Sequence, residues 1–371
     1  MSIVTFDCDL GGGVTYPIYV GDVLSKIDEY VSQIYEGDKV IIVIDEIMDC
    51  KYGEIIFPRL NRKYDLIKHV IKGGKDSKTI SSILNIFNNL EDENFSRDSL
   101  MIGIGGGVIG DMAGFAASCW YRGMKLIHIP TTLLSAVDSC VGGKTAINLN
   151  NTVNAIGSYH HPIAILIDTE VIRVLPSREI SSGIGEIVKY AVIHSEPISN
   201  ALEAKKYQEV LRDIDWFIIE SLKNKEYFVR GDINEGHKRL YLNFGHTLGH
   251  AIEFATILDG EETLRHGEAV ALGMLAIFRI SAELGYIDED KITWLKAILS
   301  KFDLPTSYSA GNIELDKESL LDKCMALVIK DKKRKFDGLR LITLNKIREP
   351  IIYKTNDMAL LRIGFSEVIT H

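Results

Sequence analysis

LMIGIGGGVIGDMAGFAASCW, residues 100–120, sets the reading of the whole chain. It opens as an apolar β-prone run, passes through a string of glycines, and continues with apolar residues at three- and four-residue spacing. That pattern predicts a buried strand, a tight turn and a helix. Gly105, Gly107 and Gly110 satisfy the GxGxxG spacing, with Gly106 between the first two. Glycines there let a backbone approach a pyrophosphate, and the helix N-terminus that follows offers unpaired N–H groups and partial positive charge. The same turn also serves plain close packing of helix on strand, so by itself it admits a dinucleotide without requiring one.

Working outward, short β-branched runs alternate with helical patterns: VIIVID ending at Asp45, IKHVI around Ile71, KLIHIP ending at Pro130 and AILID ending at Asp168. Such alternation predicts a largely parallel sheet with crossover helices. The strand after the glycine turn lacks the acidic residue that normally holds the ribose of a dinucleotide, and Asp45 is the substitute on an earlier strand. After Pro176 the strand signals fade and helical periodicity takes over, for instance over residues 214–229, 247–255 and 268–284, with a short strand predicted at 339–344. The fold class is therefore α/β, a Rossmann-like parallel-sheet domain followed by a mainly α-helical domain, with the boundary near residues 170–180.

At 371 residues the chain exceeds what one core usually supports, so two domains with a cleft between them are expected. A composition 46% hydrophobic and 25% charged is that of an ordinary globular protein. The net charge of −9 argues against a nucleic-acid-binding face, which needs clustered lysines and arginines to neutralise phosphates. Five scattered cysteines with no CxxC pair suggest neither a disulfide framework nor a cysteine zinc site, and fit a reducing cytoplasm. With no secretory pattern at the N-terminus and no apolar run longer than residues 269–278, we expect a soluble, unprocessed protein with no membrane partner.

LNFGHTLGHAIE puts His246 and His250 four residues apart, one turn apart on one helical face. A third imidazole, His266, opens the helical segment HGEAVALGM, and Glu186 lies in GEIVKY. Two imidazoles and one carboxylate leave a zinc-like ion open positions for substrate oxygens, whereas an isolated HxxxH is otherwise a packing or hydrogen-bonding pair. Basic residues also sit inside motif-like segments: Arg122 in YRG, Lys144 in VGGKTAIN, Lys189 in EIVKY, Lys225, Arg239 in KRLYLNFGH, and the run KDKKRK at 330–335. A lone lysine is usually a solvated residue, but this number of cations beside glycines and histidines suggests a ligand bearing both phosphate and carboxylate.

Taken together, GGGVIGDMAGF, YRG, IPTTLLSAVDSCVGGKTAIN, GEIVKY, LNFGHTLGHAIE, HGEAVALGM and DKK, in that order over residues 100–345, resemble the 3-dehydroquinate synthase family of sugar-phosphate cyclases. Residues 1–95 resemble it in pattern only. The resemblance implies an NAD-binding α/β domain over residues 1–175 and a mainly helical metal- and substrate-binding domain over 176–371. It implies a phosphate-eliminating lyase of the shikimate pathway and aromatic amino acid biosynthesis. 3-Deoxy-D-arabino-heptulosonate 7-phosphate becomes 3-dehydroquinate and phosphate, with NAD used catalytically and zinc or cobalt as the metal.

Carried over position by position, the family's metal ligands are Glu186, His246 and His266, which makes His250 a substrate-contacting or proton-relaying residue. Asp138, Lys189 and Glu235 contact the reacting hydroxyls, and Lys225 and Arg239 hold the carboxylate. Lys144, Asn154, Asn243, His250 and either Lys332 or Lys333 surround the phosphate. Asp45, Lys78, Gly105, Gly106, Gly107, Gly110, Asp111, Thr131 and Thr132 fall to NAD. Arg122 matches an arginine that reaches the phosphate from a neighbouring subunit, which implies a homodimer.

The sequence departs from the family pattern at two places. Val153 precedes Asn154 where the family has a lysine, and Lys75 stands in GGKDSK where it has a glutamate, although Lys78 keeps its place. Sister cyclases acting on glucose 6-phosphate or sedoheptulose 7-phosphate commonly alter the positions of Arg239 and Asn243; both are kept here, which favours the carboxylated substrate. An aminated analogue of that substrate and, from another class, a metal-dependent alcohol dehydrogenase are the competing readings.

Overall fold

The computed structural model describes residues 3–150, 152–332 and 339–371, the side chains of 331 and 332 excepted. Its contacts divide the chain into two compact units, Met1–Leu175 with Ile214–Gly231, and Pro176–Asp213 with Asp232–His371.

The first unit is built on strands β1 (Val4–Gly11), β2 (Val14–Gly21), β3 (Lys39–Asp45), β4 (Asp65–Ile71), β5 (Leu100–Gly105), β6 (Lys125–Pro130), β7 (Lys144–Leu149), β8 (Thr152–Tyr159) and β9 (Ala164–Asp168). Seven of them form one sheet in the order β1-β2-β9-β6-β5-β3-β4, parallel except for the β1–β2 hairpin at its edge. Helices α1 (Ile27–Ile34), α2 (Glu46–Leu60), α3 (Ile80–Asp92) and α4 (Gly107–Cys119) connect the strands, and α5 (Thr169–Arg173) follows β9. Because side chains alternate along a strand, Val40, Ile42, Ile44, Leu100, Ile102 and Ile104 pack on the face carrying α1 and α2. Ile41, Val43, Met101 and Leu126 pack on the opposite face against α3 and α4. Burial on both faces is why these strands read as continuous apolar runs. The five strands expected from those runs are all present; β7 and β8, from glycine-rich sequence, add an antiparallel hairpin that the apolar pattern does not announce.

The topology matters for binding. β3 and β5 are neighbours, paired from Val40↔Leu100 to Ile44↔Ile104, yet β3 leads through α2 to β4 on one side while β5 leads through α4 to β6 on the other. Ligands of open α/β sheets bind at the carboxyl ends of strands where connections diverge in this way.

In the second unit, α6 (Ser177–Ile193), α7 (Glu196–Ala204) and α8 (Tyr207–Arg212) come first; α9 (Ile214–Val229) then returns to the first unit. α10 (His246–Ala255), α11 (His266–Glu283), α12 (Glu289–Lys301), α13 (Lys317–Lys332) and α14 (Met358–Val368) complete the bundle. A hairpin of Leu339–Lys346 with Glu349–Thr355 includes the strand expected at 339–344. Buried almost all round, from Gly267 to Phe278, α11 is the helix on which α6, α10, α12 and α14 pack. Among the described residues no helix is long and apolar enough to cross a membrane.

Candidate active site

Three helices of the second unit meet through glycine. A Cβ on Gly267, in the first turn of α11, would stand 1.8 Å from the carbonyl oxygen of Ser182 on α6. One on Gly273 would stand 2.0 Å from the carbonyl oxygen of Gly245, which precedes α10. On α6 a Cβ on Gly185 would likewise stand 2.6 Å from the carbonyl oxygen of Gly267. The missing side chains let the backbones touch, and Glu186 beside Gly185, His246 beside Gly245 and His266 beside Gly267 converge. Arg178 on α6 fastens the arrangement with a two-pronged ion pair to Glu268, at 2.6 and 2.7 Å.

Glu186 is 1% exposed, and its Oε1 lies 3.3 Å from His246 Nε2 and 3.4 Å from His266 Nε2. Among the described residues neither carboxylate oxygen accepts a hydrogen bond of good geometry, although the Lys189 ammonium stands 2.5 Å from Oε2. Ligand bonds of about 2.0–2.1 Å to a tetrahedral ion put neighbouring ligand atoms roughly 3.3 Å apart, so these separations fit a bound cation. The outer nitrogens point the same way: His246 Nδ1 donates to the Phe244 carbonyl at 3.0 Å, and His266 Nδ1 faces Glu253 Oε2 at 3.3 Å. With the proton held on Nδ1 and a cation bound, each Nε2 would offer its lone pair inward.

The electrostatics favour positive charge at this place. Burial alone would protonate Glu186, but Lys189 and His246 outweigh it and hold the carboxyl well below its usual range. Burial would likewise discharge His266, yet its bonds to Glu186 and Glu253 prevail and push it up to about 10. His250, whose outer edge meets solvent, is held down to about 3, first by desolvation and then by His246 and His266. It belongs to a second set within metal-binding reach, His250, Glu253 and His266, so geometry alone offers two triads sharing one imidazole.

Between α9 and α10 a tight loop presents a buried guanidinium. Asp232 accepts the backbone N–H groups of Gly236, His237 and Arg239 at 2.7, 2.8 and 2.8 Å. Arg239 is 1% exposed and donates to the Ile233 carbonyl at 2.5 Å. Glu235, held at φ +60, accepts from Asn243 Nδ2 at 2.8 Å. These contacts fix the loop, and a guanidinium is the group suited to a planar carboxylate.

In the first unit the glycine turn lies where the sheet topology requires it. Gly106 caps α4, Gly110 donates back to its carbonyl at 3.1 Å, and Thr131 donates to the carbonyl of Gly105 at 3.0 Å. Asp45 ends β3, the strand beside β5, and so stands at the divergence of connections; its carboxylate also caps α2 through Ile47. Lys78, 6% exposed, pairs with Asp111 at 2.5 Å and donates to Asn154 Oδ1. Burial pushes the Asp111 carboxyl up, against the pull of Lys78. Asp138 pairs with Lys225 of α9 at 2.9 Å.

The model of the 3-dehydroquinate synthase N-terminal family matches residues 68–182, and that of the C-terminal family residues 183–334. The 3-dehydroquinate synthase of Methylococcus capsulatus is 37% identical over 350 residues, covering 94% of this chain and 94% of its own length. The chain belongs to the 3-dehydroquinate synthase family. Among solved structures, a 2-deoxy-scyllo-inosose synthase complexed with carbaglucose-6-phosphate, NAD+ and Co2+ is 25% identical, with a TM-score of 0.84 over 98% of this chain and 99% of that one. A 2-epi-5-epi-valiolone synthase from Streptomyces hygroscopicus with NAD+ and Zn2+ bound is 21% identical, with a TM-score of 0.83 over 96% and 97% of the two chains, and speaks for the fold.

Eleven of the positions picked out by the resemblance to the 3-dehydroquinate synthase family fall into three constellations: Glu186, Lys189, His246, His250 and His266; Glu235, Arg239 and Asn243; and Lys78, Asp111 and Asn154. Lys78 and Asn154, expected on cofactor and phosphate respectively, touch each other. Arg122 and Lys144 are exposed, Arg122 at φ +63 at the end of a short turn after α4, and Lys144 at the start of β7. Thr132 bonds the hydroxyl of Ser135 at 2.8 Å. Val153 is 42% exposed on β8, and nothing in the structure explains its replacement of a lysine. Lys333 and the side chain of Lys332 lie outside the described residues. Sequence reasoning passed over Asp232, which organises the Arg239 loop, and Glu253. The signal for Glu253 was its place seven residues after His246, two turns along one helical face.

Proposed function

We propose that the chain is a phosphate-eliminating lyase that converts 3-deoxy-D-arabino-heptulosonate 7-phosphate into 3-dehydroquinate and phosphate, with catalytic NAD and one zinc or cobalt ion. The observation that carries this reading is the trio of Glu186, His246 and His266, a buried carboxylate and two inward-facing imidazoles spaced for a cation. When bound, such an ion lowers the pKa of a ligated hydroxyl and polarises a ketone. Lys189, 1% exposed and beside Glu186, is placed to stabilise negative charge on the reacting oxygens. Arg239 recognises the substrate carboxylate in two-pronged fashion, and Glu235 with Asn243 presents hydrogen-bonding groups to its hydroxyls or phosphate. At the divergence of the sheet, Asp45, the glycine turn with Thr131 and Thr132, and Lys78 with Asp111 hold the dinucleotide. The departing phosphate dianion can take the proton itself, so positioning and electrostatics dominate the rate.

The reading extends to a homodimer in the cytoplasm. Exposure of Arg122 supports a role toward a second subunit, and five free cysteines suit a reducing compartment. Identity of 37% to a 3-dehydroquinate synthase, against 25% and 21% to sister cyclases of equal fold, favours the carboxylated substrate. Product analysis with 3-deoxy-D-arabino-heptulosonate 7-phosphate, sedoheptulose 7-phosphate and glucose 6-phosphate tests the choice. Dehydroquinate from the first alone is expected; turnover of either of the others with silence on the first moves the protein to a sister branch.

A further inference from the structure

We propose that Glu253 is a positioning residue of the metal site, fixing through its buried carboxylate the tautomer in which His266 turns a bare Nε2 toward Glu186. The inference rests on Glu186, His246 and His266 being the ligands. Glu253 is 4% exposed in the last turns of α10, and a carboxylate is costly to bury without a compensating charge. Its Oε2 stands 3.3 Å from His266 Nδ1, the nitrogen facing away from Glu186. The two ligand histidines are thus held differently: a neutral carbonyl, that of Phe244, takes the outer N–H of His246, whereas an anion takes that of His266. An anionic partner locks the ring and raises the donor strength of the nitrogen opposite.

Helix geometry explains how one element does both jobs. His246 in the first turn of α10 supplies a ligand, and seven residues later, on the same face, Glu253 reaches the ligand carried by α11. The triad of His250, Glu253 and His266 is the competing arrangement, with Glu253 itself on the ion. Against it, His266 gives Glu186 its Nε2 and Glu253 its Nδ1, and a neutral imidazole has one lone pair to offer.

The test is metal affinity of the apoprotein, measured by competition with a chromophoric chelator for Zn2+ and by the visible spectrum of the Co2+ form, in the wild-type chain, Glu253→Gln and Glu186→Gln. Thermal unfolding of each apoprotein serves as the folding control. A positioning role predicts affinity weakened about 10- to 100-fold in Glu253→Gln, with a cobalt spectrum of unchanged type, and loss of the spectrum in Glu186→Gln. Wild-type affinity in Glu253→Gln, with Glu186→Gln impaired, overturns the role of Glu253 and leaves the ligand set standing. Loss as complete as in Glu186→Gln makes Glu253 a ligand and also overturns it. Undiminished binding by Glu186→Gln removes the ligand set itself. Should the glutamine variant fail to fold, Glu253→Asp keeps the charge but withdraws it from His266, and the same weakening is expected.

Discussion

Arg239 shows what single residues contribute. A guanidinium 1% exposed is tolerated because Asp232 organises its loop and the Ile233 carbonyl accepts one of its protons. If, as proposed, Arg239 holds the substrate carboxylate, Arg239→Ala is expected to lower kcat/KM for the carboxylated substrate by about 2–5 kcal/mol, the cost of truncating one partner of a buried charge pair. Undiminished kcat/KM contradicts the carboxylate assignment. Lys78 carries the corresponding test in the first unit. Lys78→Met deprives Asp111 of its cation and should weaken NAD binding by about 1.5–3 kcal/mol, read by titration of NADH fluorescence. At this scale the sequence was legible where residue types are rare, as with three histidines and an arginine within thirty positions. It was silent on Asp232 and Glu253, because an acid on a helix or loop looks solvated until its partners are seen.

Among elements, helix packing through backbone contact is the feature on which the site depends. Gly267 and Gly273 bring α11 against α6 and the start of α10, and Glu186, His266 and His246 each adjoin one of the glycines at those contacts. Gly267→Ala drives a methyl into a carbonyl that cannot retreat without moving α6, and should cost about 1–3 kcal/mol of stability in overpacking. It should also displace Glu186 from His266. Calorimetric unfolding combined with metal content measures both effects, and an alanine variant with wild-type stability contradicts the packing account. The strands were readable because burial on both faces leaves continuous apolar runs, as in VIIVID. The β7–β8 hairpin was not, since KTAIN alternates too briefly to separate from the glycines before it. That α9 packs with the first unit is a long-range fact that its local periodicity does not carry.

For the whole molecule, a chain of net charge −9 keeps buried cations in each unit, Lys78 and Lys225 in the first and Lys189 and Arg239 in the second. The architecture is shared with a 2-deoxy-scyllo-inosose synthase and a 2-epi-5-epi-valiolone synthase, so the fold alone does not decide the reaction. The homodimer reading makes its own prediction. If Arg122 serves the partner's phosphate site, mixing inactive Arg122→Ala with inactive Asp138→Asn subunits should restore about a quarter of wild-type activity, since half the dimers are mixed and each holds one intact site. No restoration on subunit exchange contradicts a role across subunits. The central claim, lyase chemistry with a cofactor that is regenerated in each cycle, is tested most directly by following phosphate release and nicotinamide absorbance together with 3-deoxy-D-arabino-heptulosonate 7-phosphate. Many equivalents of phosphate per NAD, with no net NADH, is the predicted result; NADH accumulating in step with product would contradict it and make the protein a dehydrogenase.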